Sequence, residues 1–266
     1  MRRPDFSARR SGDIAALSLR LALSDVGTLL VLVFLPLAMM AFLQPLGQLQ
    51  LAQQGHAGAN GAELVVPGMA VLFSFYCTTY VGMGFFREHE WGTWDRLRAS
   101  MARPAEIVVG KSVPTLLIGA AQLLVLWLAG VVLYGLRSHG TLLDGVVGVI
   151  AVSASLVLAT LGLGIALTAL CRTLEQLSVA ANLGAIVFGG LGGAFVSVDV
   201  LPGWARVLAP YTPQHWALTG YRRIVVEGQG LGSIAVPCAV LLAIAAGGAT
   251  LGAMRFRMAD VKVGVS

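Results

Sequence analysis

Apolar residues dominate six stretches of the chain, at positions 26–43, 65–86, 113–136, 145–170, 178–197 and 232–254. Crossing a hydrocarbon core of ~30 Å takes about 20 mostly apolar helical residues, and each stretch meets or nearly meets that length. The pattern therefore predicts six transmembrane helices. The first is the shortest and follows Arg2, Arg3, Arg9 and Arg10, as the core of a secretory signal would. Its apolar run is long for that role and no small-x-small cleavage site follows, so it is read as a retained helix. Ahead of it, Ile14, Leu17 and Leu21 fall on one helical face, which suits a helix lying along the inner leaflet; a simple extension of the first span is the other reading. Positions 44–64, polar and glycine-containing, are expected to form an outer loop in which His56 is solvated.

Composition agrees with the pattern: 57% of the 266 residues are hydrophobic and 12% charged, with a mean hydropathy of +0.81. These values lie outside the range of soluble domains. A net charge of +5 and a pI near 9.5 would suggest nucleic acid in a soluble protein. Here the basic residues act first as topology signals. Arg2, Arg3, Arg9, Arg10, Arg20, then Arg87, Arg96, Arg98, Arg103 and Lys111, then Arg172, and finally Arg255, Arg257 and Lys262 share one side of a six-span arrangement. The other side holds Arg137, Arg206, Arg222 and Arg223. The positive-inside rule places both termini in the cytoplasm, in a multi-pass protein of the plasma (inner) membrane, with no nucleic-acid partner. Tyr134, Trp204, Tyr211, Trp216 and Tyr221 near the outer face fit interfacial anchoring. Cys77, Cys171 and Cys238 lack the spacing of a zinc site or a disulfide framework and read as packing residues.

The six stretches contain no Asp, Glu, Lys, Arg or His. A proton-coupled carrier needs intramembrane carboxylates or histidines as its relay, so their absence argues against that class. Sodium coupling, which uses carbonyls and hydroxyls at broken helices, stays open. No Ser/His, paired-Asp or HExxH arrangement lies at membrane depth, so no catalytic residue and no metal ligand is assigned. The segment 105–112, "AEIVVGKS", approximates a phosphate-binding loop, but Ala105 replaces the first glycine and no αβ unit surrounds it. Lys111 is expected to mark the inner boundary and to snorkel to the headgroups. An energy source outside the chain is the leading idea.

The charge is concentrated in "FFREHEWGTWDRLRAS", between the second and third spans. A solvated loop would explain the charge but has no need of Trp91 and Trp94. The stretch "FFREHEWGTWDRLRASMARPAEIVVGK" resembles the loop after the second span in ABC-2 type permeases, the membrane subunits of bacterial ATP-binding-cassette exporters. Phe86, Arg87, Glu88, Glu90, Gly92, Thr93, Arg96, Leu97, Ser100, Pro104, Gly110 and Lys111 match that pattern in order, whereas Met101 stands where the family has Pro. "LPGWARVLAPYTPQHWALTGYRRIVVEG", at 201–228, is similar to the family's outer segment: Pro-x-Trp, an apolar helix, a Pro-rich break, and an aromatic helix ending in Arg. The N-terminal segment with Pro36 is similar too, so the resemblance covers essentially the whole chain.

The resemblance implies an all-α, six-span permease forming a single domain over 1–266, with a cytoplasmic coupling helix after span two and a short outer helical segment before span six. Arg87, Glu88, Glu90, Trp91, Gly92, Thr93, Trp94, Asp95, Arg96 and Leu97 would dock into a separate ATPase subunit. Gly92 gives room for close approach, Thr93 can cap a helix, and Trp91, Trp94 and Leu97 offer apolar anchors. The outer segment would be two short helices broken near Pro210 and Pro213, anchored by Trp204 and Trp216, with Arg222 and Arg223 at the surface. The implied partners are two copies of an ABC ATPase, which would bind the ATP and Mg that this chain does not, a second or homologous permease, membrane lipid and an amphipathic substrate. Tyr76, Thr78, Thr79, Tyr80 and Asn182 are polar groups within spans that could line a substrate path, or equally make interhelical hydrogen bonds. Gly189 and Gly193, four apart, suit close helix packing within the subunit. The rival expectation is an ion-coupled carrier or a non-transporting structural subunit.

Overall fold

The computed structural model describes residues 8–24, 26–55, 58, 60–90 and 104–255. The described residues form an all-α protein. Its principal helices are α1 (Ala8–Ser24), α2 (Val26–Gln53), α3 (Ala62–Glu90), α4 (Pro104–Val132), α5 (Leu142–Leu170), α6 (Leu174–Gly192), α7 (Gly203–Leu208), α8 (Pro213–Val225) and α9 (Ala235–Arg255). Short 3-10 turns occupy Val198–Val200, Ala209–Tyr211 and Leu231–Ile234. Six of the helices are long and apolar enough to cross a membrane: α2, α3, α4, α5, α6, and α9 with the turn before it.

Several helix starts are set by short polar side chains. Thr141 Oγ1 accepts from Asp144 N at 3.1 Å to start α5 and donates to Asp144 Oδ2 at 2.7 Å. Thr173 caps α6 by accepting from Gln176 N at 3.1 Å. These caps satisfy backbone donors that have no partner within their own helix. The end of α6 is equally local: Gly193 adopts φ +100 and its N–H reaches back to Gly189 O and Gly190 O. That left-handed geometry disfavours residues with a Cβ.

Two of the predicted boundaries move by more than five residues. The expected outer loop at 44–64 is helical as far as Gln53, despite Pro45. Two of its glutamines are bonded to backbone of neighbouring segments: Gln44 Nε2 donates to Asn60 O at 3.3 Å and Tyr134 O at 3.4 Å. Gln50 Nε2 donates to Phe195 O at 3.5 Å, and its Oε1 accepts from Ser197 N at 3.4 Å. The third span begins at Pro104 rather than Val113, because Glu106 and Lys111 are buried within α4. Charged side chains thus stand inside helices that the apolar pattern alone trimmed back.

At the centre, α3 packs against α2, α4, α5, α6 and α8, and is buried over most of its length. Apolar side chains gain little from leaving lipid for another apolar environment, so close fit must hold these helices together. The closest crossing joins α5 and α9. A Cβ on Gly162 would lie within 2.9 Å of three backbone atoms of Ala245, and one on Gly248 would meet the Gly162 carbonyl carbon at 2.5 Å. Gly189 also serves packing within the chain, since a Cβ there would stand 2.6 Å from Leu72 Cδ1 on α3. Gly193 instead terminates α6, so the four-residue spacing is only half a packing motif. α1 packs on α4, burying Ala15 and leaving Leu17 and Leu21 exposed on another side.

Candidate functional site

The bundle has two distinct ends. One carries the segment Val198–Ile234 with the N-termini of α3, α5 and α9; the other carries the C-terminus of α3 and the N-terminus of α4. At the second end, Lys111 is 4% exposed and its Nζ donates to Gly84 O at 2.6 Å. It does not snorkel outward as expected; it ties the start of α4 to the last turns of α3. Residues 105–112 lie within α4, where Ser112 Oγ donates to Val108 O at 2.7 Å. From Val108 onward the backbone amides are directed along the helix to its own carbonyls, so the Gly110–Ser112 part of the segment, where a phosphate loop would need open amides, offers no cradle.

α3 runs to Glu90 and delivers the chain directly into the charged stretch. Arg87, Glu88 and Glu90 belong to its last turn, though their side chains lie outside the described residues, as do Trp91, Gly92, Thr93, Trp94, Asp95, Arg96 and Leu97. What the structure supplies is the support: a long central helix leading in, and a second leading out from Pro104, joined by the Lys111–Gly84 bond.

Of the proposed path residues, Tyr76, Thr78 and Thr79 lie on α3 and Asn182 on α6, two helices that pack together. The side chain of Tyr80 lies outside the described residues. At about 100° per residue, Thr78 lies about 160° round the helix from Tyr76 and about 100° from Thr79. Its hydroxyl is directed at Thr160 O on α5, 3.5 Å away, which is a weak interhelical contact. Tyr76 stacks on Phe73 with centroids 5.4 Å apart, and Thr79 Oγ1 is buried with no hydrogen-bond partner among the described residues. Sequence reading passed over Gln122, 3% exposed on α4, which accepts from Cys77 Sγ at 2.9 Å and donates to Leu32 O at 3.1 Å. Its signal was a lone amide in an apolar run.

At the other end, α7 and α8 are divided by the turn Ala209–Tyr211, with Thr212 capping α8 and Pro213 opening it. Trp216 Nε1 donates to Pro210 O at 2.8 Å and holds the two halves together, while Trp204 and Tyr211 are exposed. Tyr221 departs from the anchoring expectation: it is fully buried, bonded to Ser153 Oγ at 2.8 Å and packed on Trp127. Tyr134 likewise turns inward, donating to Leu37 O at 2.6 Å. Arg222 pairs with Asp199 at 3.1 Å and Glu227 at 3.2 Å, and Arg223 donates to Ser233 O at 2.6 Å. The guanidinium of Arg222 holds the Asp199 carboxyl below its ordinary range, while burial lowers the pKa of His215. Among the described residues no cluster of His, Cys, Asp and Glu could hold a metal ion.

The described residues form a bundle with six membrane-length helices, the charged stretch following the second in sequence and a paired-helix segment preceding the sixth. The family model for ABC-2 type transporters matches residues 17–226, and the chain belongs to that family. It is similar to the Linearmycin resistance permease protein LnrN of Bacillus subtilis (strain 168), with 27% identity over 190 residues, 71% of this chain and 48% of the relative. The chain therefore spans about half the length of that curated relative. No solved structure matches. Family membership makes the chain a multi-pass membrane subunit of the ABC-2 transporter type.

Proposed function

We propose that the chain is the permease of an ATP-driven exporter moving amphipathic molecules, of drug, antibiotic or lipid-like character, out of the cytoplasm or the inner leaflet. The observation that carries this reading is the family match together with a relative named for linearmycin resistance. The chain acts as a single transmembrane domain, paired with a second or homologous permease and with two ATPase subunits. ATP and Mg are handled by the ATPase, and this chain hydrolyses none. Both termini and residues 87–111 face the cytoplasm, where the basic residues concentrate. The segment Val198–Ile234 then caps the outer end, consistent with exposed Trp204 and Tyr211 at a headgroup interface.

Residues 87–97 dock into the ATPase and transmit its closure to α3 and α4. The buried bond between Lys111 and Gly84 supports this role, because two helices tied at their bases move as one lever. Tyr76, Thr78, Thr79, Tyr80 and Asn182 are the candidate path residues of this reading, with Thr78 also directed at Thr160 O on α5.

The test is ATP-driven uptake of a fluorescent amphiphile into inverted vesicles containing the chain and its ATPase. Uptake that requires both subunits and ATP is expected. Uptake driven by an ion gradient without the ATPase would overturn the reading.

A further inference from the structure

At the end that carries α7 and α8, a cavity of about 480 Å³ opens between the first turns of α3 and the face of α8. Glu63, Pro67, Asp199, His215, Leu218 and Arg222 are among the residues lining it. Its polar groups differ in how fully they are used. Arg222 is committed to Asp199 and Glu227, and Arg223 donates to Ser233 O. Gln229 Nε2 donates to Glu227 Oε2 at 2.8 Å. Glu63 is different: it is 3% exposed, and its buried Oε2 has no hydrogen-bond partner among the described residues. Nδ1 of His215 is likewise buried without a partner. A buried carboxyl oxygen left without a donor is costly, and buried polar atoms are nearly always satisfied in folded proteins. An oxygen left open at the wall of a cavity is an acceptor waiting for a ligand.

The cavity walls carry three carboxyl groups, Glu63, Asp199 and Glu227, against two guanidiniums, Arg222 and Arg223. Both guanidiniums already have acceptors, so the excess acidic group is the one without a donor. We propose that this cavity binds the primary ammonium group of an amphipathic molecule, with Glu63 accepting its N–H and the apolar walls at Pro67 and Leu218 receiving the adjoining hydrocarbon. An ammonium both donates and balances the third carboxyl; a neutral hydroxyl does only the first. Burial keeps the imidazole of His215 neutral to lower pH than an exposed one, so it does not repel the ligand, and its Nδ1 can accept a second N–H. The placement deepens the export reading, on which the cavity's role as a release site rests. Binding itself needs neither ATP nor a partner.

The test uses the full-length chain in nanodiscs of zwitterionic lipid and dansylcadaverine, a fluorescent amphiphile with a primary amine, with empty nanodiscs subtracted. The wild type should bind it saturably, Glu63→Gln should weaken binding about tenfold or more, and the N-acetylated dye should bind both proteins equally weakly. Undiminished binding by Glu63→Gln, or equal affinity of the wild type for the acetylated dye, would overturn the proposal. Equal displacement of the dye by an alkyl glucoside would also overturn it in favour of a hydroxyl site. If Glu63→Gln does not insert, Thr219→Trp fills the cavity from α8; loss of dye binding then supports the site and full binding refutes it. Lost export with dye binding intact contradicts the export reading alone, and the converse contradicts only this site.

Discussion

Replacing Lys111 with Met keeps the length and apolar stem of the side chain but removes the donor that reaches Gly84 O at 2.6 Å. The position is 4% exposed, so water cannot take over the lost bond. A hydrogen bond from a charged donor contributes about 1.5–3 kcal/mol, and each kcal/mol moves the melting midpoint of a protein of this size by about 2–4 °C. Lys111→Met should therefore lower the midpoint by about 3–12 °C. A thiol-reactive dye can report unfolding through Cys77, which is 1% exposed in the fold. The same variant should leave nucleotide affinity of the assembled transporter unchanged, since residues 105–112 belong to a regular helix. An unaltered midpoint would refute the bracing role, and a selective loss of ATP binding would revive the phosphate-loop reading.

Gly162→Leu should separate α5 from α9 and destabilise by about 1–3 kcal/mol or more, read as a lower midpoint in the same assay; a wild-type midpoint would contradict the close crossing. Single cysteines at positions 95 and 56, in a background without Cys77, Cys171 and Cys238, should react with an impermeant reagent in intact cells only at 56; the reverse would invert the topology. Burial depresses the pKa of His215, so below pH 6.5 the unfolded chain takes up a proton that the folded chain refuses. Thermal stability should fall across that range, and His215→Gln should flatten the decline; a decline of the same slope in the variant would assign it elsewhere.

The number and order of spans are legible in the sequence because an apolar run of membrane length has few other uses. Their ends are less legible. Gln44 and Gln50 read as outer-loop residues and Lys111 as a boundary residue, and only their partners in the fold, at Asn60, Tyr134, Phe195, Ser197 and Gly84, show why the helices continue through them. The break at Pro210 and Pro213 is written into the chain by proline chemistry. Whether an aromatic anchors at the surface or packs inward is not, since Trp204 and Tyr221 differ only in what surrounds them. Glu63 was hidden for the same reason: it sits just before an apolar run, and its open carboxyl oxygen emerges only when α8 folds over it.

The central claim is that residues 87–97 couple this permease to an ATPase, and the most direct measurement is recovery of that ATPase with the tagged chain. Gly92→Trp places bulk where close docking needs none, and the paired change Glu88→Lys, Glu90→Lys exchanges attraction for repulsion that costs several kcal/mol at an interface. Each variant should insert at wild-type levels yet lose the co-purifying ATPase and its substrate-stimulated turnover. Wild-type recovery and stimulation in both would contradict the coupling role of this stretch.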